Sequence, residues 1–536
     1  MHMARDLIIG VDAGTSVIKA VAFDLQGRQV AVASTPNRVL LGPDGAAEQD
    51  LDGTWTDTAA TLRALAARVP GLAARVVALA ATGQGDGTWL VDADGRPVGP
   101  AMLWLDARAG RHVQALRETP ASRLVAARTG NALNPSMQSG QLLWLQAHQP
   151  ERLARAASAM HCKDWLFFQA TGVRATSPCE GVYTFGNFRS LAYDDETLAL
   201  LGLGAIKHLL PPIVDGTRSH ATLTRTAATE TGLPEGLPVV LPLMDVPLCV
   251  LGAGGMAFDA QGGLRHVGCS VLGSTGMHGW VTDNTAAIEP SAEAGYTIAM
   301  PAPGLRVRLV SHMAATLNID WLLRLLGSAA ELAGGAALPH AQMLERLDAL
   351  VLSTAPAQAV YHPYIAQSGE RGPFVDASAR AQLSGFSATL GVAGLSRAVF
   401  EGIAMATRDC YTALGTLPEE IRLSGGAARS LALRQMIASV TGRPVRVSNR
   451  EECGAAGAAI TAALSIDSHA SIHQMLPQWV DAYLDEAVTL PDPGQTALYD
   501  QIYGQYRETA QRARAPWQAL ADIRRAHLDA AAQEIR

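Results

Sequence analysis

The chain has 536 residues, 48% of them hydrophobic and 17% charged, with a net charge of −7. That length exceeds what one core supports, so two or more domains are expected, and the composition excludes a disordered chain. The acid excess leaves no basic footprint for nucleic acid, and the six scattered cysteines, with no CxxC pair, read as reduced thiols of a cytoplasmic protein.

The N-terminus passes directly into a strand-like run, without signal-peptide architecture. Leu7 to Val11 is that run, and it ends at Asp12. Ala13-Gly14-Thr15-Ser16 makes a tight turn, Val17 to Phe23 a second strand, and Gln29 to Ala33 a third. Consecutive N–H groups in such a turn, with the Thr and Ser hydroxyls and Lys19, can cradle phosphate oxygens, and Asp12 beside them can hold Mg²⁺ directly or through water. An ordinary hairpin with polar turn residues would read the same way. Farther on, Thr82-Gly83-Gln84-Gly85-Asp86-Gly87 is a glycine-rich loop.

Leu237 to Gly255 is the most apolar stretch, with Asp245 inside it. It is about long enough to span a bilayer, but Pro238, Pro242 and Pro247 argue against a transmembrane helix. The pattern predicts a buried strand, a sharp turn presenting Asp245 in a cleft, and a glycine-rich segment from Gly252 to Gly255. A carboxylate so placed can take a proton from a bound hydroxyl, or can simply be held by backbone N–H groups.

The first hairpin then returns about 260 residues later. Leu264 to Leu272 reads as a strand, Gly273-Ser274-Thr275-Gly276 as a turn, and Met277 to Val281 as its partner. One such turn per lobe suits two domains closing on a nucleotide. Ile421 to Leu423 reads as another strand, followed by Ser424-Gly425-Gly426-Ala427-Ala428-Arg429-Ser430 and a helix from about Leu431 to Gly442. Glycines between strand and helix let a flat ring lie on the backbone. Glu452 to Ala459 is rich in small residues and predicts a helix packed tightly on a neighbour. The tail, Ser471 to Arg536, reads as helices broken at Pro491, Pro493 and Pro516, packing through Leu520, Ile523 and Leu528.

These segments, in this order, resemble the FGGY carbohydrate kinases, a branch of the actin/hexokinase/Hsp70-like ATPase superfamily. Agreement extends to Glu48-Gln49-Asp50, Trp104 with Asp106 and Arg108, Gly369-Glu370-Arg371 before Pro373, and Glu401-Gly402-Ile403. The resemblance implies an α/β fold of two lobes, actin/hexokinase-like (ribonuclease H-like), with a cleft between them. It implies residues 1–250 as the lobe for acceptor and phosphates, 251–470 as the nucleotide lobe, and 471–536 as a helical segment packed on both. It also implies ATP and Mg²⁺, with Asp12 near the metal. Thr15, Ser16 and Lys19 would form the first phosphate loop and Gly273, Ser274 and Thr275 the second. Gly425, Gly426 and Ser430 would lie at the nucleotide's other end, and Asp245 would be general base.

The resemblance implies a small polyol or sugar as acceptor, with Gln84, Gly85, Asp86, Trp104 and Asp245 as its contacts. Gln84 is followed neither by the Arg of glycerol kinases nor by the Met-His of xylulose kinases, although both kinds of kinase stay open as alternatives. The wording Gly83 to Val91, with Leu103 to Arg108 and Cys162 to Leu166, looks like the erythritol kinase subgroup, which acts on a four-carbon polyol. An actin- or Hsp70-like conformational protein is the alternative outside enzymes. Homodimer formation is left open.

Overall fold

Leu7-Ile8-Ile9-Gly10-Val11 has no outward polar position, and it becomes the middle of a sheet. In the computed structural model, which describes residues 5–336 and 338–534, the strands β1 (Leu7–Ala13), β2 (Val17–Asp24), β3 (Gln29–Pro36), β4 (Val76–Gly83), β5 (Ala221–Thr222) and β6 (Pro238–Val240) form one sheet in the order β5-β6-β4-β1-β2-β3. β1 runs antiparallel to β2 and parallel to β4, and β6 is parallel to β4. The chain therefore leaves β1, β4 and β6 at one edge of the sheet, where ligands of open α/β sheets bind. α1 (Leu51–Arg68) packs on β2 and β3, and α2 (Cys162–Thr171) on β4, burying Trp55 and Trp165 in the core between.

The second lobe repeats the plan. β7 (Val267–Leu272), β8 (Gly276–Thr282), β9 (Tyr296–Ala299), β10 (Arg306–His312), β11 (Glu420–Ser424), β12 (Val445–Ser448) and β13 (Leu484–Thr489) form a sheet in the order β9-β10-β8-β7-β11-β12-β13. β7 is antiparallel to β8 and parallel to β11, as β1 is to β2 and β4. No helix among the described residues is long and apolar enough to cross a membrane.

Two expectations need correction. Asp245 does not sit on a turn before a glycine-rich segment; it opens the helix α3 (Asp245–Gly252). Pro247 falls in the first turn of that helix, where its missing N–H would have had no helical partner anyway. The tail is not purely helical either. Leu484–Thr489 is an edge strand on β12, and its polar residues Asp485 and Glu486 hid it. Beyond it, α4 (Val392–Ala413) and α5 (Leu431–Thr441) carry α7 (Pro493–Glu534), which continues through Pro516. Tyr499, Tyr506, Ala510, Ala513 and Trp517 form its buried face, whereas Leu520 and Ile523 are exposed. The Leu528 side chain and residues 1–4 lie outside the described residues.

Between the lobes runs α6 (Cys453–Ile466), rich in Ala and Gly, in contact with β1, β4 and α3. A Cβ on Gly10 would fall 2.0 Å from the Ala455 carbonyl oxygen, one on Gly454 2.4 Å from Asp12 Oδ2, and one on Gly457 2.5 Å from the Leu248 carbonyl. The helix thus lies on the sheet backbone to backbone. Gly10→Ala should lower stability by about 1–3 kcal/mol or more, since neither backbone can yield. Gly504→Ala, inside α7 where a Cβ meets nothing within 4 Å, should gain up to ~1 kcal/mol. Denaturation midpoints of the two variants check this, and equal effects would refute the seam.

Candidate active site

Where β1, β4 and β6 end, three acids come together. Asp12 pairs in register with Lys19 on β2 and with Thr82 on β4. Thr82 Oγ1 donates to the Leu243 carbonyl at 2.8 Å, which ties β4 to the segment entering α3. Gly85 lies so close that a Cβ there would be 2.5 Å from Met244 Sδ and 3.5 Å from Asp245 Oδ1. The next residue, Asp86, has φ of 58°, a left-handed conformation that Asp tolerates better than most side chains and that concentrates at functional sites.

Each acid keeps some exposed surface although protein surrounds it. Burial raises Asp245 to about 8, helped by the charge of Asp12 and opposed by the Val246 N–H, which bonds Oδ1 at 2.8 Å. Burial likewise raises Asp86 to about 7 against the pull of Arg371 and His161. Asp12 rises to about 6, again by burial, with Lys19 opposing and Glu452 reinforcing. Asp86 Oδ1 is buried and has no hydrogen-bond partner.

A polar chain joins the two predicted loops of the first lobe. Trp104 Nε1 donates to Thr15 Oγ1 at 2.8 Å, and Thr15 Oγ1 donates to Gln84 Oε1 at 3.0 Å. Gln84 Nε2 donates to Gln49 Oε1 at 2.7 Å, and Gln49 Nε2 to the Thr15 carbonyl at 2.8 Å. The Gln84 amide is thus used within the protein at both ends, and Trp104 is a hydrogen-bonded member of the site as well as an apolar face. Ser16 is exposed on its turn. Lys19 Nζ reaches across to Glu452 Oε2 at 2.9 Å.

Asp12, Lys19, Gly425, Gly426, Glu452 and Gly454 are among the residues lining a cleft of about 820 Å³ between the lobes. Gly425 has φ of 89°, and a Cβ on it would lie 2.5 Å from the Leu272 carbonyl, so only glycine fits. Ser430 does not line this cleft; its Oγ caps α5 at Leu433 N and donates to Asp348 Oδ1 at 2.6 Å. Gly273, Ser274 and Thr275 form the β7–β8 turn, held by Ala315 N on the Ser274 carbonyl and by Thr316 Oγ1 on that of Gly273.

The fold also assembles groups that no local motif announced. His161, Asp164 and Glu180 bring ligand atoms within 4.8 Å of one another. This trio is not a metal centre, because Lys163 already supplies the cation: it pairs with Asp164 and lies 2.7 Å from Glu180 Oε2. Glu180 opens the short helix Glu180–Phe185, and its charge raises both Asp86 and Asp245. Asn134 Nδ2 donates to Tyr296 Oη at 3.3 Å from the other lobe. Arg371, quoted in a motif but given no role, lies over Trp104 with Cζ 5.4 Å from the ring centre.

Asp12, Asp86, Asp245 and Glu370, which burial raises to about 7, bind protons more tightly folded than unfolded. The folded protein therefore holds more protons, and stability falls as pH rises through their folded values. His278 and His312, lowered by burial, act in the opposite sense below their ordinary value. Above about pH 6.5 the acids act together with His161, whose burial is outweighed by Glu180 and Asp164, which raise it, so the ligand-free protein should melt lower towards pH 8. Asp245→Asn should flatten that slope in thermal melts, and an unchanged slope would remove Asp245 from the account.

Residues 7–252 match the N-terminal domain of the FGGY family of carbohydrate kinases, and residues 268–466 match its C-terminal domain. The chain is 46% identical over 525 residues to an erythritol kinase of Brucella abortus (strain 2308), across 97% of this chain and 99% of that protein. It is 28% identical to the xylulose kinase of Escherichia coli (strain K12), across 94% and 99%. The crystal structure of a xylulose kinase from Rhodospirillum rubrum superposes with a TM-score of 0.83 at 25% identity, covering 96% of this chain and all of that one. With both halves matched in order over two sheets of the same plan, the chain belongs to the FGGY family of carbohydrate kinases.

Proposed function

We propose that this protein transfers the γ-phosphoryl group of ATP to a hydroxyl of a four-carbon polyol, with erythritol as the acceptor of choice. The observation that carries the reading is the meeting of Asp245 with the Gly85–Asp86 loop beside Asp12. Near-full-length similarity to an erythritol kinase supports the choice of acceptor. Residues 1–250 then serve as acceptor lobe and 251–470 as nucleotide lobe. The six free cysteines suit a cytoplasmic setting.

Phosphoryl transfer leaves little covalent work to the protein, which positions groups and stabilises charge. Asp245, ionised, orients the acceptor hydroxyl and takes its proton onto the carboxylate as the new P–O bond forms. Asp86, with a buried unpartnered oxygen, accepts hydrogen bonds from neighbouring hydroxyls. Thr15, Ser16 and Lys19 on one turn and Gly273, Ser274 and Thr275 on the other are assigned to the phosphates. Gly425 and Gly426 are assigned to the nucleoside end, and Ser430 to holding their turn in shape.

The Asp12 carboxylate accepts no protein hydrogen bond among the described residues and borders the cleft, which suits Mg²⁺ held directly or through water. Such an ion would neutralise charge on the phosphates. Closure of the lobes excludes water as a competing acceptor.

A coupled ADP-release assay across erythritol, threitol, glycerol, ribitol, xylitol, xylulose and ribulose tests the reading. Erythritol should give turnover well above the rest, and preference for a ketopentose would discard the assignment of the Gln84–Trp89 loop. Asp245→Asn should lower kcat by about 10²–10⁴-fold with ATP binding nearly intact, and near-parental turnover would remove it as base. Asp86→Ala should raise the acceptor KM far more than the ATP KM. Because Asp245 must be ionised to act, kcat/KM for the acceptor should rise with pH towards a plateau above about 8; a pH-independent rate below that value would contradict the role.

A further inference from the structure

The loop that carries Arg371 belongs to the second lobe, yet its guanidinium lies over Trp104 of the first. Its charge is also the largest favourable influence on the Asp86 carboxylate. The loop is firmly seated on its own side. Glu370 Oε1 accepts the N–H groups of Met313 at 2.8 Å and of Arg371 at 2.9 Å. Met313 stands two residues before the Ala315–Thr316 segment that grips the Gly273–Ser274 turn.

On the other side Trp104 is bonded to Thr15, and Thr15 to Gln84. The contact of Arg371 with Trp104 thus joins the turn of one lobe to the turn of the other, and it does so where the Arg371 charge acts on Asp86. Arg371 Nε is buried and has no hydrogen-bond partner, so the guanidinium keeps a donor in reserve there.

We propose that Arg371 is the second lobe's share of the acceptor pocket, so that filling the pocket and aligning the two phosphate turns are one event. An acceptor hydroxyl beside Asp86 gives the guanidinium a second partner besides the ring of Trp104, and holds the lobes together at the point where phosphate must be gripped from both sides. Without acceptor, the aromatic contact alone holds this point, and it is worth less than a charge-assisted hydrogen bond. The pocket then recognises a small neutral polyhydroxy compound by coupling its binding to closure. This inference rests on the kinase reading above and adds a specificity-determining residue to it.

The test compares Arg371→Met and Arg371→Lys with the parent, using the acceptor that the parent phosphorylates fastest. Acceptor KM, ATP KM, kcat and the share of ADP released without phosphorylated product are measured, with thermal melts alongside. The parent's own turnover tests the kinase reading, and the ratio of variant to parent tests the inference. Arg371→Met should raise the acceptor KM about tenfold or more while moving the ATP KM much less. The share of ATP lost to water should rise as well, and Arg371→Lys should recover part of both effects. A parental acceptor KM and parental partition in Arg371→Met would overturn the proposal. So would equal losses for both substrates with a lowered melting midpoint, which is what a merely structural arginine would give.

Discussion

The approach of α6 to β1 governs everything else. Gly10, Gly454 and Gly457 remove three side chains from one seam, and the Cα traces of the two lobes come as close as backbone atoms permit. Because of that seam, Asp12 at the end of β1 faces Gly454 rather than a side chain, and Glu452 at the head of α6 reaches Lys19. A single methyl group in the seam would separate the lobes and displace the acid assigned to the metal. The abundance of Ala and Gly, which decides little as a statistic, acquires its meaning here.

Around the seam the site is kept electrostatically uncomfortable. Three acids with raised proton affinities stand at or beyond the ends of neighbouring strands, against Lys19, Arg371 and the buried Lys163. Burial costs each carboxylate more than its partners return, so the free protein holds protons that a bound cation or acceptor would displace. Such strain is characteristic of sites shaped for a partner that is charged or rich in hydroxyls. Lys163 with Asp164 and Glu180 is a different arrangement, an ammonium that supplies the charge between two acids where a metal ion would otherwise be needed.

Short, local signals were legible in the sequence. The two turns, the Gln84–Gly87 loop and the Ser424–Ser430 connection each declare themselves through glycines and hydroxyls within a few residues, and the structure has turns or loops at the first three and a short 3-10 helix, Gly426–Arg429, in the fourth. Asp245 was legible as an acid in apolar surroundings, though its helix was not, because Pro247 reads as a breaker unless its place in the first turn is known. Trp104 could be quoted, but its bond to Thr15 spans 89 positions and has no periodic trace. Glu180 and Arg371 depend likewise on tertiary approach. The edge strand β13 was masked by its acids, and α7 survives Pro516 because Ala513 and Trp517 are packed on the second lobe.

That packing reaches further than the helix. Trp517 of α7 stacks on Phe374 at 6.4 Å and meets Tyr364 edge-on at 5.6 Å, while Ser378 Oγ donates to Gln518 Oε1. Phe374 stands three residues after Arg371. The loop carrying Arg371 is therefore braced by a helix that follows the last strand of the second sheet and belongs to neither sheet. Without α7 the strands of both sheets would keep their partners, but the brace behind Arg371 would be missing. The rigidity of a loop that reaches the opposite lobe thus depends on a packing partner 140 positions away along the chain.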